Sequence, residues 1–331
     1  MTMNAVDPML SRRLVGHEKA WTAIAFAAKG NKLGGSWMIA GPKGVGKNTM
    51  AAIIAKKLLS NDRVWESSAV QESNIVKQIE AFYDPNCQVI RCDFTDEEKR
   101  KIKTAAIDDE TLDFNNLKRK TSILVDDVRK VIDSLALIPV DGRPRVVIID
   151  SADDLNANAA NALLKTLEEP PNNTTIILLA HNLYAVLETV RSRCKIIKLK
   201  PLCEENIVNY LKTMVKTPSE VQALLSISGG SIGMVNQILN NNGLEIYQTV
   251  NHLLSRGKIT ETIEFIKKIS VTQQKFQIAE HIMDYSLNQL GKNDYEKLKL
   301  WEKQIVTANN ESVFNLDKAK IMAVNILRAG Q

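Results

Sequence analysis

Residues 41–49 read Gly-Pro-Lys-Gly-Val-Gly-Lys-Asn-Thr, and no other stretch of the chain narrows the fold so far. The pattern G-x-x-x-x-G-K is that of a phosphate-binding loop, which needs a strand before it and a helix after it. Residues 36–40 form a short apolar run, and residues 47–59 have helical character, so both flanks are in place. The glycines let backbone N–H groups curl round an anion. The helix N-terminus adds a favourable dipole. Lys47 is placed to reach the β- and γ-phosphates of a nucleotide. Gly41, Gly44, Gly46, Lys47, Asn48 and Thr49 are therefore candidate nucleotide-binding residues.

The rest of the front half fits a parallel α/β sheet. Residues 88–92, 146–149, 174–180 and 195–199 read as strands, the second a continuous Val/Ile run suited to burial on both faces. Residues 125–137 and 155–169 have helical spacing, and Pro170–Pro171 ends the second of these. Strands alternating with helices predict a parallel sheet. After Pro201 only helices are expected: 204–215, 219–227, 231–240, a polar break at 240–243, then about five longer stretches in 244–329. This predicts an α/β domain over 1–200, a small helical lid domain over 201–243, and an all-α domain over 244–331. The charged segment 93–121 reads as a hairpin or insertion without an assigned role.

Composition excludes several classes. The chain is 44% hydrophobic and 24% charged, as for a globular protein. No apolar run approaches the ~18 residues of a membrane span, and the first 13 residues lack a secretory pattern. Cys87, Cys92, Cys194 and Cys203 are scattered, which suits a reducing cytoplasm rather than a disulfide scaffold. Two cysteines, Cys87 and Cys92, cannot fill a tetrahedral site, so no zinc is expected. A net charge of +5 permits nucleic-acid contact without arguing for it.

The nucleotide site departs from an ATPase pattern. After Lys47 a Ser or Thr hydroxyl should ligate Mg²⁺, but residue 48 is asparagine and Thr49 comes one position late. Strand 146–149 delivers Asp150 as a metal carboxylate, yet Ser151 follows it. Asp153 and Asp154 read as charges at the start of the next helix. Two readings stay open here: a loop that binds ATP weakly, and an inherited turn that binds none.

Residues 158–171, Asn-Ala-Ala-Asn-Ala-Leu-Leu-Lys-Thr-Leu-Glu-Glu-Pro-Pro, followed by Ser192-Arg193-Cys194, carry a family resemblance. The chain resembles the AAA+ clamp-loader subunits of bacterial DNA polymerase III, in architecture throughout and in motif over about 15–194. Two branches share these motifs, tau/gamma and delta-prime. The resemblance to the ATPase branch would require Ser or Thr at position 48, Glu at position 151, and an arginine where Gly230-Ser231-Ile232-Gly233 ends in Gly233. These departures, with residues 125–129, resemble delta-prime.

The resemblance implies a bacterial cytoplasmic hetero-oligomer with tau/gamma and delta subunits. Through that complex the chain would meet a sliding clamp and primer-template DNA, with no membrane. It implies that residues 244–331 form an oligomerisation collar. It also implies that Arg193 enters a neighbour's ATP site as an arginine finger, with Arg191 beside it. His181 and Asn182 fall where the family places a polar sensor; a structural role is an equal alternative. The competing function classes are a working ATPase of the tau/gamma type and a DNA-binding module acting through residues 191–200.

Overall fold

A computed structural model describes residues 10–293, except 31, 63, 82, 108–118, 138, 140, 213, 216, 257–260, 262–263, 266–267 and 270–272. The α/β P-loop AAA+ module with helices following it, expected from the sequence, is what the chain adopts. It divides into two compact units. One is Val6–Lys212 together with Gly230–Gly233; the other gathers Thr213–Gly229 and the chain from Met234 onwards. Whether the chain works as three domains, divided at 200/201 and 243/244, remains a proposal.

The first unit is built on β1 (Gly35–Ala40), β2 (Cys87–Arg91), β3 (Arg145–Asp150), β4 (Thr174–Ala180) and β5 (Lys195–Lys198), in the order β2-β3-β4-β1-β5. Every pairing is parallel. Side chains alternate between two cores, as the two-residue period of a strand requires. Trp37, Ile39, Val146, Ile148, Ile177 and Leu179 enter one core. Their neighbours Met38, Ala40, Val147, Ile149, Ile176 and Leu178 enter the other. Apolar residues are needed on both faces, which is why β3 and β4 read as unbroken apolar runs.

Helices cover both faces. α1 (Glu18–Lys29), α2 (Lys47–Leu59) and α3 (Asn74–Glu80) supply the first core. α4 spans Asp96–Ile107. α5 (Val125–Ala136) and α6 (Ala157–Glu168) supply the second core. α7 (Glu188–Arg191) and α8 (Glu204–Leu211) complete the unit. Asn156 caps α6, its side chain accepting from Ala159 N at 2.8 Å.

Several boundaries differ from expectation. Leu155 is not the start of a helix: it follows a 3-10 turn (Ala152–Asp154), and α6 begins at Ala157. α8 stops at Leu211, short of 215. The segment after β2 contains α4 and an isolated antiparallel bridge between Phe94 and Arg119; residues 108–118 lie outside the described residues. α1 and α3 are elements to which the sequence reading gives no place.

In the second unit, α9 (Pro218–Ser228) opens with proline in its first turn and closes on Gly229 in the left-handed region. α10 (Ile232–Asn240) spans the division between the units. α11 (Gly243–Arg256) packs on α12 (Gln273–Asn293) and on α9. The helices expected beyond residue 293 lie outside the described residues. No helix among the described residues is long and apolar enough to cross a membrane.

Candidate nucleotide site and the Arg193 face

The C-terminal ends of the parallel strands are where open α/β sheets bind ligands. β1 delivers the loop 41–46 at that edge, and α2 begins at Lys47. Gly46, at φ 111°, makes the turn into the helix, a backbone shape that other residues adopt at a cost. His17 braces the loop from outside, its Nε2 lying 2.8 Å from Val45 O.

The loop is bonded mainly to its own surroundings. Lys47 is buried, and its Nζ donates to Gly41 O at 2.7 Å and Pro42 O at 2.8 Å. Burial pushes its pKa down to about 8, partly opposed by the nearby Asp150 and Asp153 carboxylates. Asn48 donates its Nδ2 to Asp150 Oδ2 at 2.8 Å. The two residues that would bind a metal are thus bonded to each other. Asn48 directs an N–H at the carboxylate and puts an amide in the place of the hydroxyl that would ligate Mg²⁺.

The residues beyond β3 are also committed. Ser151 is buried and donates to Asp154 Oδ2 at 3.1 Å. Asp153 accepts from His181 N at 2.6 Å and from Asn182 N at 2.7 Å. Neither aspartate therefore lies in the first turn of α6, as the sequence suggested; both belong to the 3-10 turn and bind elsewhere. Desolvation, with Lys47 nearby, lowers the pKa of His181.

Residue 233 closes over the loop. Gly233 N donates to Gly44 O at 2.9 Å, and Ser231 Oγ to Lys43 O at 3.2 Å. A Cβ at position 233 would lie 2.6 Å from Gly44 Cα. Only glycine permits this backbone-to-backbone approach.

Arg193 sits away from this loop, in the turn that follows α7. Its Nε donates to Glu168 Oε2 at 3.1 Å and its Nη1 to Thr189 O at 2.9 Å. Its side chain stays 32% exposed. Arg191 lies with its guanidinium 5.9 Å from the centre of the Tyr184 ring. In the basic stretch 191–200, Lys195 is used internally: it donates to Lys32 O at 3.2 Å and lies 5.0 Å from the Trp37 ring centre.

Cys87, Cys92 and Cys194 pack in the cores, whereas Cys203 is exposed. Burial pushes the thiol of Cys87 up to about 12 and that of Cys92 to about 11. Among the described residues, no group of three or more His, Cys, Asp or Glu side chains could hold a metal ion. Sequence reasoning named the loop, Asp150 and Arg193 as candidates but did not name their contacts His17, Glu168 and Thr189. Glu168 lies inside the quoted stretch 158–171, which was the available signal for it; His17 had none.

The family described as "DNA polymerase III, delta subunit" matches residues 16–203. A DNA polymerase III subunit gamma from Buchnera aphidicola subsp. Schizaphis graminum is 28% identical over 243 residues, covering 70% of this chain and 57% of the relative. A DNA polymerase III subunit delta' from Pseudomonas aeruginosa is 27% identical over 237 residues, 71% of this chain and 61% of the relative. The subunit delta' of Escherichia coli is 34% identical over 139 residues, 42% of each chain. The chain thus spans less than two thirds of the length of these curated relatives. The family match covers more than half of the chain, including the phosphate loop, Asp150 and Arg193: the chain belongs to the DNA polymerase III delta subunit family.

Proposed function

We propose that this chain is a delta-prime-type subunit of the DNA polymerase III clamp loader, helping to load the sliding clamp onto primed DNA without hydrolysing ATP itself. The observation that carries the reading is the Asn48–Asp150 hydrogen bond, which ties the two candidate metal ligands to each other through an amide N–H where an ATPase has a hydroxyl. Ser151, bonded to Asp154, offers no carboxylate to orient a water. A positioned general base is ordinarily worth about 10²–10⁴ in rate. Gly233, where the ATPase branch would have arginine, brings backbone rather than a guanidinium to the loop.

In this reading the chain's chemical contribution is Arg193, supplied in trans to the ATP site of a neighbouring tau/gamma subunit. A guanidinium there stabilises charge on the transferring phosphoryl group. The helices from 244 onwards serve assembly with tau/gamma and delta.

The test is a loader reconstituted from this chain with its tau/gamma and delta partners. Arg193→Ala should lower DNA-stimulated ATP turnover while the complex still elutes as one assembly. Undiminished turnover in an intact assembly sinks the assignment. The second reading, an ATPase of the tau/gamma type, is favoured by the intact glycine–lysine loop and the gamma relatives. It requires turnover by the isolated chain that Lys47→Ala abolishes.

A further inference from the structure

We propose that Glu168 is a positioning residue for Arg193, holding the guanidinium so that its remaining donors face a partner. The proposal rests on the reading of Arg193 as a trans-acting arginine.

The geometry has three parts. Arg193 is held through two of its three nitrogens, Nε by the Glu168 carboxylate and Nη1 by Thr189 O. Among the described residues, these bonds leave both N–H groups of Nη2 and the second N–H of Nη1 for an incoming acceptor. A free arginine side chain loses rotamer freedom when it docks; one already held from two sides loses less. Thr189 is local, four residues before Arg193, whereas Glu168 comes from α6, which packs on α7, so the arginine is tied to a second element as well as to its own turn.

Glu168 is also badly placed for local stability. It is the last residue of α6, where the negative end of the helix dipole disfavours a carboxylate. Lys165 stands one helical turn earlier, yet the ion pair that Glu168 forms is with Arg193, 25 residues along the chain. The pair is exposed, with 32% of the Arg193 side chain and 61% of the Glu168 side chain open to solvent, so it adds little to folding. A residue that conflicts with its own helix and stabilises little is the kind of local inconsistency found at functional positions.

The contrast with a purely structural role is measurable. Loaders would be reconstituted with Glu168→Ala, Glu168→Gln, Arg193→Ala and the double variant Glu168→Ala/Arg193→Ala. The readout is the part of the DNA-stimulated ATP turnover that Arg193→Ala removes. Glu168→Ala should reduce that part by roughly two- to ten-fold, the range set by immobilising one rotamer-rich side chain. Glu168→Gln keeps an acceptor but not the charge and should fall between. The double variant should match Arg193→Ala alone, and the unfolding midpoint of the Glu168→Ala chain should not fall. Full turnover in Glu168→Ala, where Arg193→Ala is impaired, overturns the proposal. So does a further loss when Glu168→Ala is added to Arg193→Ala, because Glu168 would then act by another route. An unimpaired Arg193→Ala loader overturns the reading of Arg193 itself, and this proposal with it.

Discussion

Replacing Gly233 with alanine tests how tightly the phosphate loop is closed. The new methyl carbon would lie 2.6 Å from Gly44 Cα and 3.1 Å from Gly44 O. Both are backbone atoms, so no side chain can swing aside to relieve the contact. Forcing an extra carbon into a close-packed site costs about 1–3 kcal/mol. Moving the backbones apart also lengthens the 2.9 Å bond from Gly233 N to Gly44 O, and a hydrogen bond of this kind is worth about 0.5–1.5 kcal/mol. Against this, Gly233 lies inside α10, where alanine is the better helix former by about 1 kcal/mol. The packing and hydrogen-bond costs exceed the helix gain, leaving a net loss of about 1–3 kcal/mol. Urea unfolding followed by tryptophan fluorescence would read it, because Trp21, Trp37 and Trp65 lie in the core of this unit. A Gly233→Ala chain within about 0.5 kcal/mol of the parent would show that residue 233 does not press on the loop, and the reasoning would fail. Gly233→Arg, the residue of the ATPase branch, should cost at least as much, because it carries the same Cβ.

Two further predictions concern buried charge. Lys47 titrates near 8 in the fold against 10.5 when unperturbed, so between those values the unfolded chain binds more protons and stability rises with pH. The Lys47→Met chain should lack this rise, which amounts to about 1–3 kcal/mol after allowance for solvent screening; equal slopes from pH 8 to 10.5 in parallel urea titrations would contradict it. At the other extreme, Glu80 accepts from Arg12 Nε and Nη2, each at 2.8 Å, and from the buried Lys56 at 2.8 Å. The Arg12 hydrogen bonds hold its carboxyl down to about 2, below the ordinary 4.5. Its contribution is therefore fully present above pH 4.5 and is lost as pH falls towards 2. Glu80→Gln should destabilise the chain at pH 7 by about 2–3 kcal/mol, because the buried Lys56 loses the Glu80 carboxylate. That deficit should shrink in acid, and one that stayed constant from pH 7 to pH 3 would argue against the assignment.

The sequence exposed what depends on local chemistry. The helix over 47–59 and the strand over 174–180 were readable to the residue, the first from its loop and the second from an unbroken apolar run. α1 was not readable. Its buried Trp21 stacks at 5.9 Å on Trp65, 44 positions away, while the same helix exposes Phe26, which blurs the apolar stripe. α3 has only seven residues, too few to set a period. The site divides in the same way. The loop motif named Lys47 and Asn48, and the strand named Asp150. That Asn48 bonds Asp150 across 102 residues is a tertiary fact with no local signature. The same is true of Gly233 lying on Gly44 and of Glu168 holding Arg193. Asp153 and Asp154 were misplaced because an acidic pair before an apolar helix looks like a helix start, whereas here the chain makes a 3-10 turn first. The Asp153 carboxylate is then free to hold the end of β4.

The claim that the phosphate loop is satisfied from within is tested most directly by titrating the purified chain with ATP, with and without Mg²⁺, and following hydrolysis in the same samples. The Asn48–Asp150 hydrogen bond predicts an affinity that Mg²⁺ does not raise, and no turnover. Binding strengthened by Mg²⁺, with hydrolysis that Lys47→Ala abolishes, would contradict it.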